Sequence, residues 1–299
     1  MIEQVDKKLY LISLPPPLPG FKDFIGIWLH TGPPAFLVDV GPSSTSASLL
    51  NALDVIGIET LDYLLMTHIH IDHAGGIADI ADAFPQAKIV AHSEGLPHLV
   101  QPESLWQGSL KALGRTALGY GTIRAVAAER VMPVEALEES CLQALPTPGH
   151  SPHHISYRVE DILFAGEAGG VCLSLGGPQP YMRPATPPRF FFDVTLASLE
   201  RLMASAPPKI AYSHFGLFAG AQKLLQSHHD QLLLWKWIIG RVLSEGTSDD
   251  AVDRCLTCLL QEDPRLHIYP SMPAAMKGRE EMFLRNSIQG FIGDALNAV

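Results

Sequence analysis

The chain has 299 residues, of which 47% are hydrophobic and 17% charged. That length suits one large domain or a domain with a smaller appendage, and the balance excludes a disordered chain, which would be poorer in apolar residues and richer in charge. The formal net charge of −10, with no dense Lys/Arg run, argues against a nucleic-acid substrate, because the overall field repels a polyphosphate.

Residues 1–10 carry Glu3, Asp6, Lys7 and Lys8 rather than a basic start leading into an apolar stretch, so no secretory leader is expected. Apolar runs at 25–29 and 232–235 fall far short of the roughly 20 residues a bilayer span needs, and a cytoplasmic location follows as the expectation.

In chain order, 9–14, 25–30 and 35–40 read as short strands, the last running into Gly41 and Pro42. A helix is expected over 44–56 and a strand over 63–66. A helix led in by Gly75 and Gly76 ends near Phe84, and 88–91 is again strand-like. This alternation defines an α/β domain. Residues 95–131, with Pro97, Pro102, Trp106 and several glycines, read as an insertion of helical character. Strands resume at 141–145, 155–158, 162–165 and 209–212. Between the last two, 176–189 is rich in proline and glycine and reads as a long loop closed by Phe190, Phe191 and Phe192.

From Gly220 the pattern turns amphipathic, with Leu224, Leu225, Leu232, Leu233, Trp235, Trp237, Ile238 and Val242 at helical spacing and Gly246 as the stop. Further helices are expected over 249–261 and 274–296. The organisation read from this is a domain over 1–219, with its insertion at about 95–131, and a helical C-terminal appendage over 220–299. Leu232, Trp235 and Ile239 are the candidates for a homo-oligomer formed through these helices, and His228 and His229 read as surface or interface residues. The four cysteines form no disulfide framework, and Cys255 and Cys258, a lone CxxC, read as small apolar side chains on a helix.

The chemistry concentrates in Thr67-His68-Ile69-His70-Ile71-Asp72-His73-Ala74-Gly75-Gly76. His68 and His70, two apart on extended chain, point to one face, and Asp72 and His73 follow in the turn before a helix. Clustering three imidazoles and a carboxylate without a cation would be costly, so a metal site is the reading. Three more donors follow strand ends: His150 in Thr147-Pro148-Gly149-His150-Ser151, Glu167 in Phe164-Ala165-Gly166-Glu167, and His214 in Tyr212-Ser213-His214.

In this motif order the chain resembles the metallo-β-lactamase superfamily, in the branch holding glyoxalase II, lactonases and RNase Z. The resemblance, over about 9–216, implies an αβ/βα sandwich with metals at one edge. It implies that His68, His70 and His150 hold one ion, that Asp72, His73 and His214 hold the second, and that Glu167 bridges them where the family usually has aspartate. It also implies that Asp39 orients a ligand histidine.

Such a site holds two divalent ions, zinc by its N/O donors, with iron and manganese as alternatives. About 3.5–4 Å apart, they share a water and deliver hydroxide to an electrophilic centre, with Asp72 both ligating and taking the proton. Hydrolysis of a small ester, lactone or thioester is the expected activity. The alternatives are a phosphoesterase of the same fold and an oxygen-using enzyme with one iron, like the persulfide dioxygenases. Tyr181, Arg183 and Phe190 are candidates to line the substrate pocket, with Arg183 meeting an anion. His153 and His154 read as structural.

Overall fold

A computed structural model describes residues 1–177, 179–246 and 248–297. Pro178 of the expected loop, Thr247 and the last two residues of the expected appendage lie outside the described residues. The chain divides into two compact units, the first comprising Met1–Leu145 and Ile155–Glu160, the second Pro146–His154 and Asp161–Val299.

The first unit is built on a seven-stranded sheet in sequential order: β1 (Ile2–Asp6), β2 (Leu9–Ser13), β3 (Gly26–His30), β4 (Phe36–Val38), β5 (Tyr63–Leu65), β6 (Lys88–Ala91) and β7 (Val131–Pro133). The first four strands pair antiparallel in sequence order. From β4 to β7 the pairing is parallel, which requires crossovers. Helices supply them: α1 (Ser46–Ile56), then α2 (Ile71–Ala74) and α3 (Ile77–Ala83), then α4 (Leu96–Val100), α5 (Glu103–Leu113) and α6 (Arg115–Tyr120) of the insertion. The parallel strands are apolar on both faces, and Phe36, Leu37, Leu64 and Leu65 are fully buried. Two further strands of this unit, β8 (Leu142–Pro146) and β9 (Ile155–Val159), lie side by side.

In such a sheet, functional groups gather beyond the carboxyl ends of the parallel strands. Asp39 follows β4 directly, and the histidine motif follows β5. Gly75 permits a close approach just past that motif, since a Cβ there would stand 2.2 Å from the Ile71 carbonyl oxygen and 2.9 Å from Ser43 N.

In the second unit β10 (Ile162–Gly166) runs parallel to β13 (Lys209–Tyr212), and β14 (Gly216–Ala219) pairs antiparallel with β13. A separate antiparallel ribbon joins β11 (Val171–Leu173) to β12 (Tyr181–Arg183). Helix α7 (Phe192–Ala204) precedes β13, and α8 (Ala221–Ser244), α9 (Ala251–Glu262) and α10 (Ala274–Asn297) follow β14. On α8 the buried positions Leu225, His228, Leu232, Trp235, Ile239 and Val242 recur at alternating steps of three and four, the stripe of a core-facing helix.

Several expectations are corrected here. The stretch 176–189 is not all loop, because Tyr181–Arg183 forms β12, whose hydrogen bonds come from β11, a partner that local proline and glycine content does not reveal. Helix α7, between the phenylalanines and β13, is an element beyond those expected. Leu232, Trp235 and Ile239 are buried in their own unit and offer no interface; Leu233 and Trp237 are the exposed apolar residues of α8.

His228 is no surface residue either. It is 2% exposed, packed so close to Gly170 that a Cβ there would come within 2.7 Å of its Cε1. Burial, helped by the neighbouring His229, pushes its pKa down to about 4. Because the ordinary value is about 6.5, the unfolded chain takes up this proton first as pH falls, and stability drops between about pH 6.5 and 4. The shift corresponds to roughly 3 kcal/mol. Urea unfolding at pH 7 and pH 4.5 is expected to show a smaller acid loss in His228→Gln than in the parent, and identical pH profiles would refute this origin.

No helix among the described residues is long and apolar enough to cross a membrane.

Candidate metal centre

Asp39 organises the donors of the first unit. It sits at φ 62°, its backbone N–H bonded to Leu65 O at 2.9 Å, so that its carboxylate turns toward the start of the motif. Fully buried, it accepts from Thr67 N at 2.8 Å, from Thr67 Oγ1 at 2.9–3.0 Å and from His73 Nδ1 at 2.9 Å. Thr67 Oγ1, donating to Asp39, in turn accepts from His68 Nδ1 at 3.0 Å. One carboxylate therefore sets the tautomers of two imidazoles, directly for His73 and through Thr67 for His68, and in both the Nε2 lone pair is left for a ligand role.

The other donors close in on these nitrogens. His68 Nε2 stands 3.0 Å from His70 Nδ1, and His73 Nε2 stands 3.7 Å from Asp72 Oδ2. Two ring nitrogens aimed at each other at this distance fit a shared cation, since two nitrogens on one zinc at about 2.0–2.1 Å lie roughly 3.3 Å apart. Asp72 and His73 occupy the one-turn helix α2 instead of the expected turn, and His73 O accepts from both Val40 N and Gly41 N at 2.9 Å.

The second unit holds His150, Glu167 and His214 together. Glu167 presents one carboxylate oxygen to each histidine: Oε2 lies 2.8 Å from His150 Nε2 and Oε1 lies 3.5 Å from His214 Nε2. His150 Nδ1 donates to Ala185 O at 2.6 Å, which leaves its Nε2 lone pair able to serve a cation. His214, after β13, has its backbone tied to β11 through Cys172 N to His214 O at 2.9 Å. A small cavity of about 10 Å³, room for one water, is lined by His150, Glu167, Thr186, Ser198 and His228 among others.

The three expected pocket residues are buried and engaged by other side chains of their own unit. Tyr181 and Arg183 are buried and committed to Glu280, through Tyr181 Oη at 2.9 Å and Arg183 Nε at 2.6 Å, and Phe190 packs on Phe192 and Phe291. Arg183 does not offer its charge to a substrate, because a buried guanidinium must be neutralised where it lies. Sequence reasoning misses Thr67, Thr147 and His154 as groups that hydrogen-bond to the candidate ligands or to the segments that carry them. The adjacency of Thr67 to His68, and of His154 to the His150 loop, is the signal that could find them.

The metallo-beta-lactamase superfamily model matches residues 27–214, well over half of the chain, and the chain therefore belongs to that superfamily. It is 29% identical over 206 residues to a metallo-beta-lactamase fold-containing protein of Sulfurisphaera tokodaii, covering 66% of this chain and 74% of that protein. It is also 28% identical over 154 residues to a hydroxyacylglutathione hydrolase of Aliivibrio fischeri, covering 50% of this chain and 49% of the hydrolase. The match thus spans about half the length of that enzyme. Among solved structures it resembles an archaeal metallo-beta-lactamase superfamily protein from Sulfolobus tokodaii, with TM-score 0.71 and 22% identity over 96% of this chain and 99% of that one. A metallo-beta-lactamase family protein from Thermus thermophilus follows at TM-score 0.65 and 20% identity, covering 99% of this chain and 95% of that one. These likenesses establish the metallo-β-lactamase fold, with mixed sheets, flanking helices and additional C-terminal helices.

Removing Asp39 should be felt at the metal, not only in the fold. Asp39→Ala is expected to weaken divalent-ion binding about 10–100-fold, the usual cost of losing a residue that orients a ligand. Chelator competition measures this, and unchanged affinity in a folded variant would refute the orienting role.

Proposed function

We propose that this chain is a dinuclear metal-dependent hydrolase of small ester, lactone or thioester substrates. His68, His70 and His150 would hold one ion, Asp72, His73 and His214 the other, and Glu167 would serve both. The observation that carries the reading is the orientation of the donors: His68, His73 and His150 each spend Nδ1 on a protein acceptor and keep Nε2 for a ligand role. Glu167, directing its two oxygens at two different imidazoles, supports the bridging assignment despite its extra methylene.

Held by these donors, divalent ions would polarise the substrate oxygen and lower the pKa of a bound water toward neutrality. The protein's own part is to hold the donors and to move protons. Asp72 takes the proton of the attacking water, since its side chain keeps 14% exposure whereas that of His73 keeps 2%. The relatives named hydroxyacylglutathione hydrolases act, by that name, on an acylated glutathione, which favours thioesters within the class. The net charge of −10 favours a small substrate over RNA.

A panel of lactones, thioesters and phosphoesters, assayed with zinc, manganese and iron against His68→Ala as control, tests the proposal. Turnover of an acyl substrate that His68→Ala abolishes supports it. Turnover confined to phosphoesters, or full activity in the variant, overturns it.

A further inference from the structure

We infer that His154, with Thr147, is a positioning residue that couples the ligands His150 and Glu167; the inference rests on the metal-site reading above. The loop Pro146–His154 carries His150 and closes on itself through Thr147 and His154. Thr147 N donates to His154 O at 2.9 Å, and Thr147 Oγ1 lies 2.8 Å from His154 Nδ1. His154 N donates to Ser151 O at 3.3 Å and Gly149 N to Ser151 O at 3.2 Å, which ties the turn together from within, and Ser198 Oγ donates to Pro148 O at 2.7 Å from α7.

The same imidazole reaches the other ligand. Glu167 N donates to His154 Nε2 at 3.1 Å, so Nε2 must be the acceptor, and the proton therefore sits on Nδ1 and is donated to Thr147 Oγ1. His154 is fully buried, its ring 6.3 Å from that of His150 by centroid. One neutral ring in one tautomer thus fixes both the start of the segment after β10, where Glu167 stands, and the loop bearing its partner His150. A glutamate is longer than the aspartate usual in the family and has one more rotatable bond to hold. Pinning its backbone keeps its carboxylate 2.8 Å from His150 Nε2.

The test measures zinc binding to the full chain by chelator competition, with circular dichroism as the fold control. His154→Leu removes the acceptor, His154→Gln restores an amide oxygen near the Nε2 position, and Thr147→Val removes the partner that fixes the tautomer. Expected is a zinc affinity about 10–100-fold weaker in His154→Leu and Thr147→Val, with substantial recovery in His154→Gln. Should His154→Leu not fold, Thr147→Val alone carries the test. Parent-like affinity in a folded His154→Leu or Thr147→Val overturns the inference. Absence of zinc binding in the parent chain instead overturns the metal-site reading itself, so the two failures are distinguishable.

Discussion

Asp72→Ala is expected to lower kcat on an acyl substrate of the proposed class by about 10²–10⁴-fold, the range for losing a positioned proton acceptor. The residue lies in the one-turn helix α2, and its side chain faces His73 Nε2 at 3.7 Å. Its removal costs little packing, because it is not one of the buried core positions of that turn, which are Ile71, His73 and Ala74. The unfolding midpoint should therefore stay close to the parent's while turnover collapses. Asp72→Asn separates the roles further: an amide oxygen still ligates weakly but takes no proton, so its kcat should fall almost as far as that of the alanine variant. Parent-like kcat in either folded variant would remove Asp72 from the mechanism.

The largest expected effect on stability lies within the second unit, at Glu280. This carboxylate is fully buried and accepts from Tyr181 Oη at 2.9 Å, Arg183 Nε at 2.6 Å and Arg279 Nε at 2.8 Å, with Arg279 Nη2 ion-paired to it at 2.7 Å. Burial alone would raise its pKa, but Arg183 and then Arg279 outweigh that and hold it below the ordinary carboxylate range. Glu280→Gln leaves two buried guanidinium groups without a counter-charge, at a cost of about 3–5 kcal/mol. Urea denaturation should show this as a lower midpoint with little change in slope. A loss below about 1 kcal/mol would mean that water or another acid reaches the pair.

How much of the fold and site is legible in the sequence depends on where the information lies. The motif from His68 to His73, the three strand-end donors and Asp39 are readable because each follows an apolar strand, and strand ends are marked locally by composition. Strands β2 to β6, β8 and β9 of the first unit are readable for the same reason, with β4 and β5 being continuous apolar runs, whereas β1 and β7 are not read from the sequence. What stays hidden depends on partners distant in sequence. Strand β12 owes its pairing to β11, and Arg183, which resembles an anion-binding residue in a loop, is matched to Glu280, 97 residues later. The stripe Leu232, Trp235 and Ile239 looks equally apt for an interface and for a core, and only packing decides between them. His154 reads as structural because it does not fit the ligand pattern, yet its contacts lead to the segments that carry two candidate ligands.

If the donors from His68 to His214 hold a pair of hydrolytic metal ions, elemental analysis of the purified chain tests that most directly. About two zinc or other divalent ions per chain are expected, falling toward zero in the His68→Ala, Asp72→Ala double variant. One iron per chain accompanied by oxygen uptake, or no metal above background in the active protein, would contradict it.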